Sequence, residues 1–411
     1  MSRLLLLLPT TTYRTKAFLE AALAMGVEVA AASERANTLA DKNPSGLLLL
    51  NFNDPDEAAR EAVAYADRFP VEAVIPVDED TAVVAANIAH ALGIPHNSRE
   101  SVAAAKNKHL MRRLLATAGV RAPRFRHFTL DSDLEEIAAS INYPSVVKPV
   151  FLSTSRGVMR VNTPSEFRAA VKRLEAILAL PHVARRGGAA ARDCLVEEFI
   201  PGVEVAVEGL LAAGRLRVLA LFDKPDPLDG PFFEETIYVT PSRLPRSVQR
   251  EIAETTQAAT RAMGLTSGAI HAELRINDEG AWVIEVAARA IGGLCSRTLR
   301  FGDARASLEE LIVRHALGED VSSLEREPSA AAVMMIPIPR RGILKEVKGI
   351  EEARGVPDIE DVIISAHITQ ELLPPPEGAA YLGFIFSRAS QPGAAEAALR
   401  EAHARLEFVI E

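Results

Sequence analysis

Cysteine is scarce in this sequence of 411 residues. Cys194 and Cys295 are the only two, they lie far apart, and neither has partners at the spacing of metal ligands. This argues against a disulfide scaffold or a thiolate zinc site. Long apolar runs are absent too: the opening MSRLLLLLP reaches Pro9 after five leucines, so it predicts a buried first strand rather than a signal sequence. No segment is long enough to span a membrane, and we expect a protein of the reducing cytoplasm.

Tracts of like charge are also absent. The formal charge is −9, and the basic pairs Arg185–Arg186 and Arg340–Arg341 are too few to follow a phosphate backbone. We therefore expect neither a nucleic acid nor a membrane as a partner. With 48% apolar residues the chain can bury a large core, and its length predicts two to four lobes.

The first hundred residues alternate short apolar runs with helical patterns. They predict four strands and two helices, at 4–8, 27–31, 47–51 and 71–77 and at 14–25 and 56–67. This order is typical of a small parallel sheet covered by helices. The first loop, PTTTY at 9–13, either holds an anion or simply caps the helix that follows.

The pattern of apolar and polar residues changes at residue 98. The stretch 98–118 predicts one long helix that ends at Gly119, and RRGGAAAR at 185–192 predicts a mobile surface loop, because it has no apolar periodicity. Further strands are predicted at 143–150, 158–161, 195–200, 204–211, 218–222, 269–276, 281–287, 331–338, 361–368 and 381–387, and helices from 163, at 246–263 and at 394–406. The β-rich pieces beyond 329 indicate a separate C-terminal lobe.

Two late strands, GAIHAELRI and AWVIEVAAR, flank the turn NDEG, which is a strong hairpin signal. Alternation predicts two sets of side chains that each share a face: His271, Glu273 and Arg275, and Val283, Glu285 and Ala287. A bulge at Gly280 would place Glu273 opposite Glu285. Two facing carboxylates either hold Mg²⁺ or belong to an ion pair, for which Arg289 is the natural partner.

Two earlier segments also carry polar residues in apolar surroundings. Lys148 ends the apolar strand SVVKPV and precedes the loop FLSTSRGV, which suits a flap over nucleotide phosphates, although a solvated strand end is the alternative. The phosphate-loop pattern GxxxxGK[ST] is absent. The backbone of the strand LVEEFIPGVEV could form hydrogen bonds with the edge of an adenine, and one of its acids could bind a ribose. The alternative is that these acids are ordinary carboxylates of an edge strand.

The order and spacing of these pieces resemble the ATP-grasp superfamily. Its parts are a lysine before a helix, a lysine that opens a Ser/Gly-rich lid loop, a hinge strand of the form E-x-[FY]-[IL]-x-G-x-E, and paired metal acids on late strands. The matching residues here are Lys108, Lys148 with Ser153, Thr154, Ser155 and Gly157, EEFIPGVE, and Glu273 with Glu285.

The resemblance, which covers roughly residues 1–320, implies an α/β protein with the ATP-grasp fold. Its implied parts are a Rossmann-like parallel sheet at 1–100, a helical linker at 101–135, a mobile lid at 136–200, a catalytic core at 201–325 and a β-rich C-terminal lobe at 326–411. The resemblance implies that Lys108, Lys148 and the lid loop bind the phosphates of ATP, and that Glu197, Glu198, Phe199 and Ile200 line the adenine pocket. It also implies that Glu204 binds the ribose. Glu273 and Glu285 would bind one or two Mg²⁺ ions, with Mn²⁺ as a substitute.

Within the superfamily the chain most resembles the L-amino-acid ligases that make dipeptides. The likeness lies in DKPDPLDGPFFEETIYVTPS at 223–242 and EVAARAIGG at 285–293, and it implies that Arg289 contacts the substrate carboxylate and the transferring phosphate. Candidate substrate-binding residues are Glu235, Tyr238, His271, Gly292 and Gly293, and Glu235 and His271 are also the candidate general bases. Two residues depart from the pattern: Ala287 replaces an Asn metal ligand of many relatives, and Tyr238 replaces a histidine of some dipeptide ligases.

We therefore predict an ATP-dependent ligase that joins a small carboxylate, such as an amino acid, to an amine through an acyl phosphate, with release of ADP and phosphate. One alternative is an enzyme like biotin carboxylase or the purine-pathway ATP-grasp enzymes. Another is a nucleotide-binding homologue without turnover. Homodimers are common among similar enzymes, so the resemblance allows a homodimer.

Overall fold

The N-terminal part of the chain is a small parallel sheet covered by helices. The computed structural model describes residues 2–9, 12, 14–35 and 43–411. The elements of this part are β1 (Arg3–Leu7), α1 (Thr15–Ala24), β2 (Glu28–Ser33), β3 (Leu47–Leu49), α2 (Pro55–Ala66), β4 (Ala73–Pro76) and α3 (Glu79–Ala91). The strand order is β3-β2-β1-β4, with all pairs parallel, as predicted. In the predicted anion-binding loop at 9–13, Thr10, Thr11 and Tyr13 lie outside the described residues.

The linker contains two helices where we predicted one. They are α4 (Arg99–Lys106) and α5 (Lys108–Thr117), separated by Asn107. The side chain of Asn107 accepts hydrogen bonds from the amides of His109 (3.0 Å) and Leu110 (3.2 Å), so it caps the second helix. The amide of Lys108 donates to the carbonyl of Val150 (2.9 Å), which ties the start of α5 to the end of a lid strand.

Residues 125–198, which overlap the lid predicted at 136–200 and keep that name below, form an antiparallel sheet packed against one long helix. Its elements are β5 (Phe125–Thr129), α6 (Leu134–Ser140), β6 (Ser145–Pro149), β7 (Met159–Val161), α7 (Pro164–Leu178), α8 (Pro181–Gly187) and β8 (Asp193–Glu198). The sheet order is β5-β8-β6-β7. The mobile loop predicted at 185–192 is wrong, because α8 and a 3-10 turn at Gly188–Ala190 occupy most of it. Pro181 starts α8 and buried Val183 anchors it, and both lie before the stretch that we considered.

One large sheet contains most of the strands that follow the lid. The elements after the lid are β9 (Val203–Ala212), β10 (Arg215–Lys224), β11 (Ile237–Thr240), α9 (Arg246–Ala262), β12 (Gly268–Asn277), β13 (Gly280–Ala287), a 3-10 turn (Cys295–Thr298), β14 (Arg300–Phe301), β15 (Ala306–Ser307), α10 (Leu308–Ala316), β16 (Ala330–Ile336), β17 (Gly342–Lys348), α11 (Ile350–Arg354), β18 (Ile359–Ile364), β19 (Glu371–Leu372), β20 (Gly383–Ala389), α12 (Pro392–Ala404) and β21 (Glu407–Ile410). Eight strands form one sheet in the order β13-β12-β9-β10-β11-β16-β20-β18.

The predicted C-terminal lobe shares the central sheet through β16, β20 and β18, whereas its strands β19, β17 and β21 form a three-stranded sheet of their own. The link is β11, which pairs with β10 on one side and with β16 on the other. All four β11 residues are buried, as a strand inside a sheet covered on both faces requires. Within the described residues, no helix combines the length and the apolar composition that crossing a membrane would require.

Candidate active site

Glu273 and Glu285 stand directly opposite each other on β12 and β13, as we predicted. Both side chains line one cavity of about 160 Å³. Residues of the lid and of the central sheet line this cavity together, so it lies at the junction of the two sheets. A cavity at a junction between lobes is a common place for a small-molecule site.

The pairing of the two glutamates depends on a β-bulge at Ile284. The hairpin is regular from its turn up to Leu274, which pairs with Val283, and the register then shifts by one residue. The bulge that we predicted at Gly280 is therefore wrong in position. Gly280 has a φ of +112° and belongs to the turn of the hairpin.

The bulge also changes which side chains share a face of β13. Val283 packs into the apolar core against α9, whereas Ile284 and Glu285 both line the cavity. Our prediction that Val283 lies on the face of Glu285 is wrong, because one inserted residue reverses the alternation of a strand. Without the insertion, Glu285 would point with Val283 into the core.

The cavity gathers all of the predicted site residues except Gly157. The predicted residues among those that line it are Lys108, Lys148, Ser153, Thr154, Ser155, Glu197, Glu198, Phe199, Ile200, Glu204, Glu235, Tyr238, His271, Glu273, Glu285, Arg289, Gly292 and Gly293. Gly157 instead shapes the lid loop: its φ is +74° and its amide donates to the carbonyl of Pro376 (2.9 Å). A Cβ at Gly157 would lie 2.8 Å from Cδ1 of Leu174.

Two lysines enter the cavity from distant segments. Lys108, the first residue of α5, donates from Nζ to the carbonyl of Leu152 (2.8 Å) and lies 3.2 Å from Oε2 of Glu285. Lys148 lies 2.5 Å from Oε2 of Glu197, and burial lowers the pKa of Lys148 to about 8 despite the attraction of that carboxylate. The ion-pair partner of Glu285 is thus Lys108, and the alternative in which Arg289 alone neutralises Glu285 is not observed.

The carboxylate of Glu197 is committed to other protein groups. It lies between Lys148 and Arg112, whose Nη2 donates to Oε2 (3.1 Å). Burial alone would raise the pKa of Glu197, but the two cations outweigh this effect and lower it. Glu198 pairs with Arg124 near the surface. Any contact of this strand with a nucleotide base would therefore use its backbone.

An ammonium group occupies the point where three carboxylates of the cavity converge. Nζ of Lys224 lies 2.8 Å from Glu204 and 3.2 Å from Glu273, and it also bonds Glu235. Burial alone would lower the pKa of Lys224, but the three carboxylates raise it well above its usual value. The ammonium also lies 5.0 Å from the ring centre of Tyr238.

His271 bridges two carboxylates on the same wall. Its Nδ1 lies 3.3 Å from Glu208 and its Nε2 lies 3.5 Å from Glu273. Burial alone would lower the pKa of His271, but these two neighbours raise it to about 9, so the ring is an imidazolium at neutral pH. Burial and the charge of Glu273 raise the pKa of Glu235 to about 7. Glu235 is therefore a better candidate base than His271.

Arg289 reaches the cavity from the segment after β13. Its Nη1 donates to the carbonyl of Ala290 (2.9 Å), and its Nη2 lies 4.0 Å from Glu79 at the start of α3. Burial alone would lower the pKa of Arg289, but Glu79 and Glu285 raise it. The guanidinium thus stays charged and retains donors for an anion in the cavity.

An aromatic surface lies beside the hinge strand at 197–200. Phe199 and Phe233 have ring centres 6.4 Å apart, and the guanidinium of Arg275 lies 5.1 Å from the centre of the Phe199 ring. Arg275 also donates to the carbonyl of Ile200 (2.9 Å) and bonds Glu204 (3.0 Å). Flat apolar surfaces next to a fixed backbone edge suit a planar heterocycle.

The acids of the cavity fit a divalent cation of the Mg²⁺ type. Such ions prefer carboxylate oxygens, and Glu273 and Glu285 face each other with partly exposed side chains. Oxygens of Glu204, Glu235 and Glu273 lie within 4.8 Å of one another, but the Lys224 ammonium already neutralises that group. Glu285 with Glu273 is therefore the pair that would hold an ion next to phosphates.

Two cations of the site, Lys224 and Arg112, were missed by our sequence analysis. Lys224 follows a strand pattern and Arg112 lies in the helical stretch KHLMRRLL, where a cation normally faces solvent. Both are buried. Neither has a local signal, because the acids that bind them lie on other segments of the chain.

Three family models match successive parts of the chain. They are the ATP-grasp N-terminal domain at 19–96, the ATP-grasp domain at 141–298 and the L-amino acid ligase C-terminal domain 2 at 334–411. The second of these contains the lid strands β6, β7 and β8, the segment 197–200 and the β12–β13 hairpin.

Curated relatives match part of the chain. An uncharacterized protein y4rH from Sinorhizobium fredii is 26% identical over 72% of this chain and 59% of its own length. The alanine–anticapsin ligase of Bacillus amyloliquefaciens is 27% identical over 58% of this chain and 52% of its own length. The aligned part thus spans little more than half of these relatives.

Solved structures match over the whole chain. The L-amino acid ligase from Bacillus licheniformis has a TM-score of 0.84 and 26% identity, with 100% of this chain and 99% of that chain covered. The N5-carboxyaminoimidazole ribonucleotide synthetase from Thermotoga maritima has a TM-score of 0.71 and 15% identity over 100% of both chains, which shows a shared fold alone. The chain therefore belongs to the ATP-grasp family, and within it the chain is similar to the L-amino acid ligases.

Proposed function

We propose that this chain is an ATP-dependent ligase that joins the carboxylate of an amino acid to an amine, with release of ADP and phosphate. The observation that carries the proposal is the convergence of two opposed glutamates, Glu273 and Glu285, with Lys108, Lys148 and Arg289 in one cavity. This set supplies cations for phosphate oxygens and carboxylates for a divalent ion. The names of the relatives, alanine–anticapsin ligase and L-amino acid ligase, support amino acids as substrates.

The residues of the chain would act mainly by positioning and by neutralising charge. A carboxylate is a poor acyl donor, and its phosphate anhydride is a good one. Lys108 and Lys148 would hold phosphate oxygens, and Arg289 would stabilise the charge that develops as the phosphoryl group reaches the substrate carboxylate. A Mg²⁺ ion held by Glu273 and Glu285 would neutralise charge on the β and γ phosphates.

Two further groups would serve the second half of the reaction. Glu235, with a pKa of about 7, can accept a proton from the attacking amine, whereas His271 is already protonated at neutral pH. The loop Ser153–Ser155 lies over the cavity and would exclude water, which would otherwise hydrolyse the acyl phosphate. The C–N bond forms as the C–O bond to phosphate breaks, phosphate leaves, and Glu235 releases the amine proton to solvent.

Several finer assignments belong to the same proposal. They are adenine contact by the hinge at 197–200, ribose contact by Glu204, substrate contact by Tyr238, Gly292 and Gly293, one or two Mg²⁺ ions with Mn²⁺ as a substitute, the domain boundaries predicted from the sequence, a cytoplasmic location and a homodimer. Lys224 and Arg275 bond Glu204, so a ribose would share that carboxylate with two cations.

A phosphate-release assay over a panel of amino acids tests the proposal. Release that requires two amino acids, with an amide product seen by mass spectrometry, is the expected result. Release driven by bicarbonate or by phosphorylated amines would instead favour the function of a biotin carboxylase or a purine-pathway enzyme. Tight ATP binding without release would indicate a nucleotide-binding homologue.

A further inference from the structure

The position of Glu285 depends on the bulged residue before it, and the carbonyl of that residue has an unusual partner. The guanidinium of Arg112 donates from Nη2 to the carbonyl oxygen of Ile284 (2.6 Å). A bulge leaves one residue outside the regular ladder, and a buried carbonyl without a donor is unfavourable. A side chain of α5 therefore donates a hydrogen bond to the backbone at the bulge.

We propose that Arg112 is a positioning residue, which holds the bulge at Ile284 and thereby keeps Glu285 opposite Glu273 in the cavity. In a regular hairpin Glu285 would face the apolar core with Val283, since a slip of one residue moves a side chain to the other face of a sheet. The register of β13 thus decides whether the cavity has one metal-binding acid or two.

The surroundings of Arg112 fit this task. Its side chain is fully buried, and its charge is balanced by Glu197, with Nε 2.8 Å from Oε1. Glu197 in turn binds Lys148, so a single guanidinium joins the bulge of β13 to the strand β8 and to a lysine of the lid. A planar group with several fixed donors can make both contacts at once, which a lysine ammonium at the same place cannot do as well.

The inference rests on the proposed function only where Glu285 is taken as a ligand of a divalent ion. Its structural part, the dependence of the β13 register on Arg112, stands by itself. Two measurements therefore separate the two ideas: Mn²⁺ binding in the presence of ADP, followed by electron paramagnetic resonance, and amide hydrogen exchange of the segment 280–287.

The main variant is Arg112→Met, and its matched control is Arg113→Met, because Arg113 is the exposed neighbour in the same helix. We expect Arg112→Met to weaken Mn²⁺ binding by about tenfold or more and to speed exchange in 280–287. The control should behave as the wild type. Arg112→Lys keeps a positive charge next to Glu197, so it replaces Arg112→Met as the test variant if Arg112→Met does not fold. We expect Arg112→Lys to weaken Mn²⁺ binding and to speed exchange in 280–287, both to a smaller degree.

A further variant tests whether the effect runs through the bulge. Glu197→Gln removes the charge next to Lys148 but leaves the hydrogen bond from Arg112 to the carbonyl of Ile284, so hydrogen exchange in 280–287 should stay as in the wild type. Equally fast exchange in Glu197→Gln and Arg112→Met would overturn the inference, as would unchanged exchange in 280–287 in both Arg112 variants. If the wild type itself binds no Mn²⁺, the proposed function fails, and the exchange data alone decide the role of Arg112.

Discussion

Nζ of Lys224 lies 3.2 Å from Oε1 of Glu273, so a fixed cation of the protein touches one of the two acids proposed to hold a metal ion. The same ammonium bonds Glu204 and Glu235. Three carboxylates can stay close together in a largely buried place only when such a cation balances them.

Removal of this cation should destabilise the protein more than removal of a surface lysine. We expect Lys224→Met to lower the free energy of unfolding by about 3 kcal/mol, because it leaves three carboxylates without their common partner. Lys345→Met is the matched control: Lys345 is exposed and pairs with Glu411 at 3.2 Å, so its loss should cost less than about 1 kcal/mol. Urea unfolding with EDTA, followed by the fluorescence of the single tryptophan, Trp282, measures both.

A divalent cation should partly replace the missing ammonium. Addition of Mg²⁺ in place of EDTA should therefore stabilise Lys224→Met more than the wild type, since Glu204, Glu235 and Glu273 would then be free to share an ion. Equal stability of the Lys224 and Lys345 variants would contradict the role that we assign to this ammonium.

The pair of carboxylates around His271 should make stability depend on pH. The pKa of His271 is about 9 in the folded protein and about 6.5 in the unfolded chain, so folding favours the protonated ring. This contribution is fully present below about pH 6.5 and is lost as the pH rises to about 9. It corresponds to about 3 kcal/mol.

The variant His271→Gln isolates this effect. The stability difference between the wild type and His271→Gln should shrink by about 3 kcal/mol between about pH 6 and pH 9.5, as measured by urea unfolding at each pH. His367→Gln, which alters an exposed histidine, should show no such trend. A difference that stays constant with pH would mean that folding does not raise the pKa of His271.

The sequence predicted the parts of the site that have a local signal. The turn NDEG and the alternation of GAIHAELRI were enough to place Glu273 and Glu285 on paired strands, because a hairpin is a short-range structure. The bulge was predicted at the glycine that the sequence offers, but the structure has it at Ile284, where a distant residue, Arg112, bonds the carbonyl. Contacts of this kind have no pattern in the sequence.

Other errors of prediction have similar causes. The helix at 98–118 is interrupted at Asn107 because its side chain caps a new helix, and the amide that follows bonds the lid. The helix α3 was not predicted, since EDTAVVAANIAHA is alanine-rich and buried on most sides, which hides the amphipathic pattern of a surface helix. In both places tertiary contacts, rather than local preference, decide the structure.

A substitution at Gly157, the predicted site residue that does not line the cavity, should destabilise the lid. Gly157→Ala places a Cβ 2.8 Å from Leu174 at a φ of +74°, so we expect a loss of about 1 to 2 kcal/mol in the local stability of the lid. Gly119→Ala is the control, because Gly119 has a similar φ of +68° and open space around it. Hydrogen exchange over 125–198 should rise in Gly157→Ala only, and the KM for ATP should rise with it. Equal exchange in the two variants would show that the lid tolerates the contact with Leu174.

The sharpest test of the metal assignment is Glu285→Gln. An amide is a weaker ligand for Mg²⁺ than a carboxylate, and it also leaves Lys108 without its charged partner, so ATP turnover should fall on the order of a hundredfold or more. The fold should remain, since the Glu285 side chain is partly exposed to the cavity and Lys108 keeps its bond to the carbonyl of Leu152. Glu279→Gln, at the exposed tip of the same hairpin, is the matched control and should retain full phosphate release. Both substitutions replace a glutamate by glutamine within one hairpin, so a difference between them reports the position of the carboxylate. Magnesium-dependent turnover that survives in Glu285→Gln would remove Glu285 from the site.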